Sequence, residues 1–528
     1  MISFTKFKAV FFVAIFAMLL TPITTFAQPY NYRATEMVQT IEGLLPIQTM
    51  QTLGTWDSYQ SLKEEFLQAS NSYTTSAEFA LLTRYFAARL AHYWVSDFSS
   101  YSQTIVSTVE QAHPVFIVED IANEYNFYGL PVLPANYQQL RDDYLYFTTG
   151  YISRAQFAFA TQRYLTLLQD GHMSGNFLFD ELTGGPFITG GFIDIDWHYR
   201  NGGLYLNDGT KIIKIGGVPV SYVLQQVRLH YFAENDVARN RIYSIKSKYI
   251  PMTYKAGGAS TGTNIYLTTE STVLTADITK NFPPGLFNRP PVDQIITFSM
   301  IDDDIFYIDL RAFIDGPHID DAVAAIQEAV ADGVTQYIID LRYNPGGNSF
   351  VGARLLDAMG ATNPSFGVVR RASDLLINHF EMLLASEFVH YEEMEAILLT
   401  TVRNLRMALD NQGYIIGMPS VEDAVNLNNV YVVVLTNTDT FSSATMTGAW
   451  VQDGNLGSII GTPSRNAVAS FGEMMPIDMQ GSFFNISTST TMWLRPNQNA
   501  VPDILVPDVF AEVDALETAI SFLRDMER

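Results

Sequence analysis

The sequence predicts an α/β protein, on three observations. Short, nearly all-apolar strands stand at Ile305–Leu310, Tyr337–Leu341 and Asn429–Leu435. Amphipathic helical stretches alternate with them, and polar turns, one of them with paired glycines, open two of those helices. Such strands are buried on both faces, as a helix-covered parallel sheet requires. Strand, turn, helix, strand is also the order of a βαβ unit.

At 528 residues the chain is long for one core, and two to four domains are expected. Hydrophobic residues make up 48% and charged residues 16%, which is far from a disordered composition. A net charge of −24 gives no bulk attraction for nucleic acid or anionic membrane. Cysteine is absent, so disulfides, thiolate catalysis, Cys-ligated zinc and a cysteine-borne lipid anchor are excluded. The eight histidines form no H-E-x-x-H and no close pair, so nothing argues for a metal site.

In chain order, Lys6 and Lys8 precede an apolar run from Ala9 to Leu20. Pro22 breaks it, and Thr25-Phe26-Ala27 fits a small-x-small cleavage site. Residues 1–27 therefore read as an export signal, too short for a comfortable membrane span. An uncleaved N-terminal anchor is the alternative. The expected protein is soluble and exported, periplasmic or secreted, with no membrane span after signal removal. Residues 28–180 form a helical region: Ala77, Phe79, Leu81, Leu82, Tyr85, Phe86 and Leu90 recur at helical spacings, as does the stretch Ser153–Leu168. Residues 181–300 read as a β-rich module, with turn signals at Gly202-Gly203, Asp208-Gly209 and Gly216-Gly217 around a strand Lys211–Ile215. Residues 301–528 form the α/β core. Its helices are expected at Ile319–Ala331, Val351–Met359 and Ser443–Gln452, and a further strand at Gly457–Gly461. Residues 374–412 read as a helical insertion, and no repeat is visible.

Three constellations can carry chemistry. In Asp340-Leu-Arg-Tyr-Asn-Pro-Gly-Gly347, Gly346 and Gly347 let backbone N–H groups point outward, as an oxyanion site needs. The same pattern also makes an ordinary strand-to-helix turn. In Thr438–Met446, Ser442 or Ser443 opens a helix after a buried strand. Such a serine acts either as a nucleophile beside a helix N-terminus or as a plain N-cap. Asp170-Gly171-His172 ends a long helix, so His172 is either a base matched to neutral pH or a helix-end cation.

Together these residues resemble the serine peptidases of the tail-specific protease and tricorn-core family. Asp340–Gly347 is similar to its D-L-R-x-N-x-G-G segment, and Ser442–Asp453 to its S-A-S-E-x-x-x-x-x-x-Q-D helix. Gly457–Pro463 resembles its strand ending in V-G-x-P, while Ile305–Leu310 and Pro502-Asp503-Ile504 fit its flanks. The resemblance spans about Asp302 to Asp508, with His172 as an outlying match. It implies a ClpP/crotonase-like core. Gly203–Val220 resembles a strand-turn-strand of the family's PDZ-like module, which can bind peptide termini or be purely structural.

The resemblance implies Ser442 as nucleophile, with an oxyanion hole from Ser443 and from Gly346 or Gly347. Two positions depart from the pattern. No lysine follows Gly461-Thr-Pro463, where Asn466 or Ala467 stands instead, and Thr445 replaces a frequent glutamate. Tricorn-like members use a histidine, and Asp170-Gly171-His172 is similar to that context. His172 is then the general base. Glu473, in Phe471-Gly472-Glu473, is either its orienting acid or a solvated strand-end carboxylate. The implied function is an exported serine peptidase acting on peptide or protein through a Ser442 acyl-enzyme, without cofactor or metal. An esterase would share this machinery. A non-catalytic binding protein for peptides or apolar ligands on the same scaffold is the rival reading.

Overall fold

The computed structural model describes residues 30–42, 56–70, 79, 82–83, 86, 99–114, 137–148, 154–168, 170–175, 191–261, 263–279, 294–386, 392–411, 413–479, 484–500 and 504–526. The expected export signal, most of 71–98, and Pro502 and Asp503 lie outside them. No helix among the described residues is long and apolar enough to cross a membrane.

The α/β core is a six-stranded sheet. Its order is Val509–Phe510, Gly457–Gly461, Tyr431–Thr436, Gln336–Asp340, Ile305–Leu310 and Ile296–Ile301. All neighbours are parallel except the last pair. Gln336–Asp340 is buried at every position, as its apolar run requires. Helices Pro317–Ala331, Phe350–Ala358 and Ser443–Asp453 cover one face, with Ile319, Leu355 and Val451 in a shared core with Ile339 and Val434. Helix Ala515–Met526 covers the other, where Ala519 and Leu523 meet Ile338, Val433 and Leu435. The alternation of Ile338 and Ile339 between the two cores is the period of two of a strand.

A second sheet positions the histidine segment. Ser470–Met479 and Phe484–Leu494 form a long antiparallel hairpin, and Gly367–Arg371 and Tyr414–Gly417 extend it. On its other side Ser174 pairs with Ser487 and Gly175 with Ile486. His172 is thus pinned two residues from a strand of the sheet that follows the helix Ser443–Asp453. A single apolar core joins this sheet to the helical region and the module, including Val106, Leu165, Ile212, Val227, Ile486 and Met492.

The module departs from its β-rich expectation. Its strands form a seven-stranded sheet, but helices Val220–His230, Asp236–Lys246 and Ile250–Lys255 occupy its middle. Val220, Val223, Leu224 and Val227 are all buried, a helical stripe within a β-branched text. Ile296–Ile301, expected at the module's end, joins the core sheet instead, antiparallel to Ile305–Leu310. The insertion is two packed helices, Asp374–Leu384 and Glu392–Asn411.

Candidate active site

The nucleophile turn is assembled from the ends of two core strands. Thr440 Oγ1 donates to Leu341 O at 2.8 Å, and Phe441 N to Asn344 O at 2.9 Å. Ser442 then stands immediately before the helix Ser443–Asp453 with φ 56° and ψ −125°. A non-glycine residue there is strained by about 1–3 kcal/mol, so neighbours must hold it. Ser442 makes no side-chain capping bond, and its hydroxyl is not spent on the helix.

Asn466 supplies much of the restraint. Its Oδ1 accepts from Ser442 N at 2.9 Å and from Thr445 Oγ1 at 2.7 Å. The two positions where the sequence departs from the family resemblance are therefore partners. An asparagine and a threonine meet as neutral hydrogen-bonding groups, and Asn466 grips the Ser442 backbone.

The glycine turn is fixed by buried polar groups. Asp340, fully buried, holds Arg342 through Oδ2 at 2.6 Å. Asn344 donates to Leu310 O at 2.8 Å, and its Oδ1 accepts from Gly346 N at 2.8 Å. Gly346 has φ 90°, and a Cβ there would lie 2.6 Å from Ser442 Cβ and 2.8 Å from Ser443 N. Only glycine allows this approach. Because Gly346 N is bonded to Asn344, it is not available to an oxyanion. The amides of Gly347 and Ser443 donate to no acceptor among the described residues.

His172 lies beside this turn. Its ring is 4.6 Å from the ring of Phe441, the residue before Ser442, and Arg465 covers the same ring at 4.2 Å. Asp170 Oδ1 accepts from His172 N at 2.8 Å. Asp170 Oδ2 is 3.0 Å from His113 Nε2, with both side chains fully buried. Burial alone would raise the Asp170 carboxyl, but the His113 hydrogen bond and charge, with the charge of His172, hold it below its ordinary value. The His172 side chain is 7% exposed, and both ring nitrogens lack a hydrogen-bond partner. Burial lowers its ionisation below the ordinary imidazole value; Asp170 opposes this and Arg465 adds to it. The net effect favours the neutral, proton-accepting form of the ring. The imidazole makes no hydrogen bond to Ser442, and such catalytic bonds are often long before substrate binds.

Glu234 was not a sequence candidate. It precedes the helix Asp236–Lys246, where an acidic residue reads only as a favourable helix start. Its Oε1 accepts from Gly171 N at 3.2 Å and its Oε2 from Ala467 N at 2.8 Å. Burial pushes its carboxyl up to about 7, the Ala467 amide opposing and Asp170 adding to the rise.

Glu473, the expected orienting acid, is engaged elsewhere. It has φ 58°, and Arg370 holds it at 2.7 Å, with a further hydrogen bond from Thr491. Arg370 and Thr491 alternate with Val369 and Met492, which are buried in one core with Phe471. His113, the partner of Asp170, packs on Phe471 at 4.8 Å. The carboxylate of Glu473 is thus engaged by Arg370 and Thr491, and it makes no hydrogen bond to His172.

Asp170, His172 and Glu234 each offer one ligand atom within 4.8 Å of the others. Ligands on one tetrahedral zinc stand roughly 3.3 Å apart, given bonds of about 2.0 Å. Both carboxylates are also occupied by amides or by His113. The cluster suits proton handling better than metal binding.

The sequence pattern of peptidase family S41 matches residues 304–509. A comparison with curated proteins finds no match. Among solved structures, mature CPAF complexed with lactacystin aligns with 81% of this chain and 97% of its own, at 13% identity and a TM-score of 0.48. The photosystem II D1 C-terminal processing protease aligns with 79% and 94%, at 13% identity and a TM-score of 0.38. The tricorn protease aligns with 64% of this chain and 29% of its own, at 13% identity and a TM-score of 0.22.

Proposed function

We propose that the protein is a serine-type peptidase, a reading supported by the match of residues 304–509 to peptidase family S41, and that Ser442 attacks the peptide bond with His172 as general base. The observation that carries this reading is the pairing of a strained Ser442 at a helix start with an unpartnered imidazole packed on the adjoining Phe441. Ser442 Oγ attacks the scissile carbonyl carbon while its proton passes to a His172 ring nitrogen. The amides of Gly347 and Ser443, the latter at a helix N-terminus, receive the oxyanion. His172 then protonates the leaving amine, and water hydrolyses the acyl-enzyme with the same base.

The substrate is a peptide or protein chain. The reading includes export, supported by Lys6, Lys8 and the apolar run Ala9–Leu20. Lys246 is pushed down to about 7 by burial and by Arg465, yet its ammonium donates to Tyr249 Oη at 2.9 Å and lies on the rings of Tyr231 and Tyr249. That engagement favours His172 over this lysine as the base.

The test is labelling by a fluorophosphonate probe together with hydrolysis of a casein-type substrate. Ser442→Ala should abolish both while leaving the thermal transition nearly unchanged. Persistent labelling of that variant, or its transfer to Ser443→Ala as the inactive form, would refute the assignment.

A further inference from the structure

We propose that Glu234, delivered by the module, is the positioning residue that sets His172 against the Ser442 loop and stabilises the imidazolium formed during attack. The proposal rests on the Ser442–His172 reading.

Three observations carry it. A Glu234 carboxylate oxygen and a His172 ring nitrogen lie within 4.8 Å, in a buried site. Glu234 also bonds both catalytic segments at once: Gly171 N belongs to the histidine turn, and Ala467 N follows Asn466, which holds Ser442 N. One carboxylate therefore fixes the distance between base and nucleophile segments. Gly171 is the third observation. A Cβ there would fall 2.5 Å from Glu234 Oε1, so a side chain at this position would push the carboxylate off the Gly171 amide.

Asp170 is the competing acid, with Oδ1 3.9 Å from His172 Nδ1. Its oxygens are taken by His113 and by the His172 backbone amide, so it shapes the turn. It makes no hydrogen bond to the Ser442 loop among the described residues, whereas Glu234 bridges both segments. The charged groups facing Glu234 are Asp170, His172 and Arg465, with His113 behind Asp170. In the resting enzyme Glu234 loses its proton near 7. When His172 takes the Ser442 proton, a nearby positive charge favours the ionised carboxylate, and the two stabilise each other.

The sign of the pH effect follows. As pH falls through about 7, Glu234 takes up a proton and its help is withdrawn, so kcat/KM falls. Without Glu234 the acid limb belongs to His172 alone and moves below about 6.5, the ordinary imidazole value from which burial lowers it.

The experiment compares the full chain with Glu234→Gln, Glu234→Asp and His172→Ala. For Glu234→Gln we expect kcat to fall by roughly a hundredfold, less than the ~10⁴ of a tightly bonded triad acid. KM should stay within about threefold, because positioning acts in the transition state. The acid limb should shift down, and Glu234→Asp should recover part of kcat with the limb. In a Ser442→Ala background, NMR titration should show the His172 ionisation lowered by Glu234→Gln. That readout needs no activity and reports on folded protein. An unchanged His172 ionisation and an unmoved acid limb would overturn the role of Glu234 even if activity dropped. Near-normal activity of His172→Ala would instead overturn the underlying base assignment.

Discussion

Asn466 shows how much of this site depends on single oxygen atoms. Its Oδ1 serves both the Ser442 amide and the Thr445 hydroxyl inside a buried pocket. Asn466→Ala leaves the Ser442 amide without an acceptor, at about 1–3 kcal/mol, and the Thr445 hydroxyl with only the longer bond to Thr440 O at 3.4 Å. The expected outcome is a lower thermal midpoint and a fall in probe-labelling rate, because the strained Ser442 backbone relaxes; calorimetry and labelling kinetics check it. Ser442, His172, Ser443 and Gly347 could be singled out as candidates in the sequence because each sits in a short local motif. Glu234 could not, since its partners Gly171 and Ala467 are distant in the chain and its own segment carries no motif. Glu473 was legible as a motif, but its engagement by Arg370, distant in the chain, was not.

At the scale of elements, the helix Asp236–Lys246 and the residues before it tie the Gly171 turn to the loop before Ser442. Asn235 caps it through Ala238 N and donates to Arg465 O. Farther along, Arg241 grips Asp439, three residues before Ser442, through Nε at 2.6 Å and Nη2 at 2.9 Å. Both side chains are mostly buried, and bidentate pairs of this kind are directional as well as strong. Arg241→Ala should cost about 1–3 kcal/mol in stability, and it should slow labelling of Ser442 more than Arg239→Ala, whose pair is exposed. Equal effects of the two variants would mean that the helix does not tether the loop. The apolar strands of the core were readable from composition, since burial on both faces leaves a continuous run. The module's helices were hidden because Val220, Val223 and Val227 are β-branched residues that tertiary burial overrides into a helix.

For the whole molecule, the core sheet holds only half of the candidate site. Ser442, Ser443 and Gly347, proposed as nucleophile and oxyanion amides, stand in the core; His172, the proposed base, follows the helical region; and Glu234 belongs to the module. A fragment covering 294–526 keeps the buried sheet and its helices on both faces, but it lacks the strand Ser174–Gly175 and everything before it. The expected outcome is a fragment that is at best folded and never labelled by the probe; adding 30–279 in trans should be needed for any signal. Circular dichroism and labelling separate the two statements. The pairing of Ser174 with Ser487 carries a further consequence in time. On the ribosome the histidine turn emerges early and waits, without its partner strand, for the hairpin that follows the nucleophile. The last pieces to be made are therefore the ones that seat the first. Under the proposed mechanism, a chain still being made lacks a seated histidine turn, and activity is expected only once the hairpin has been synthesised.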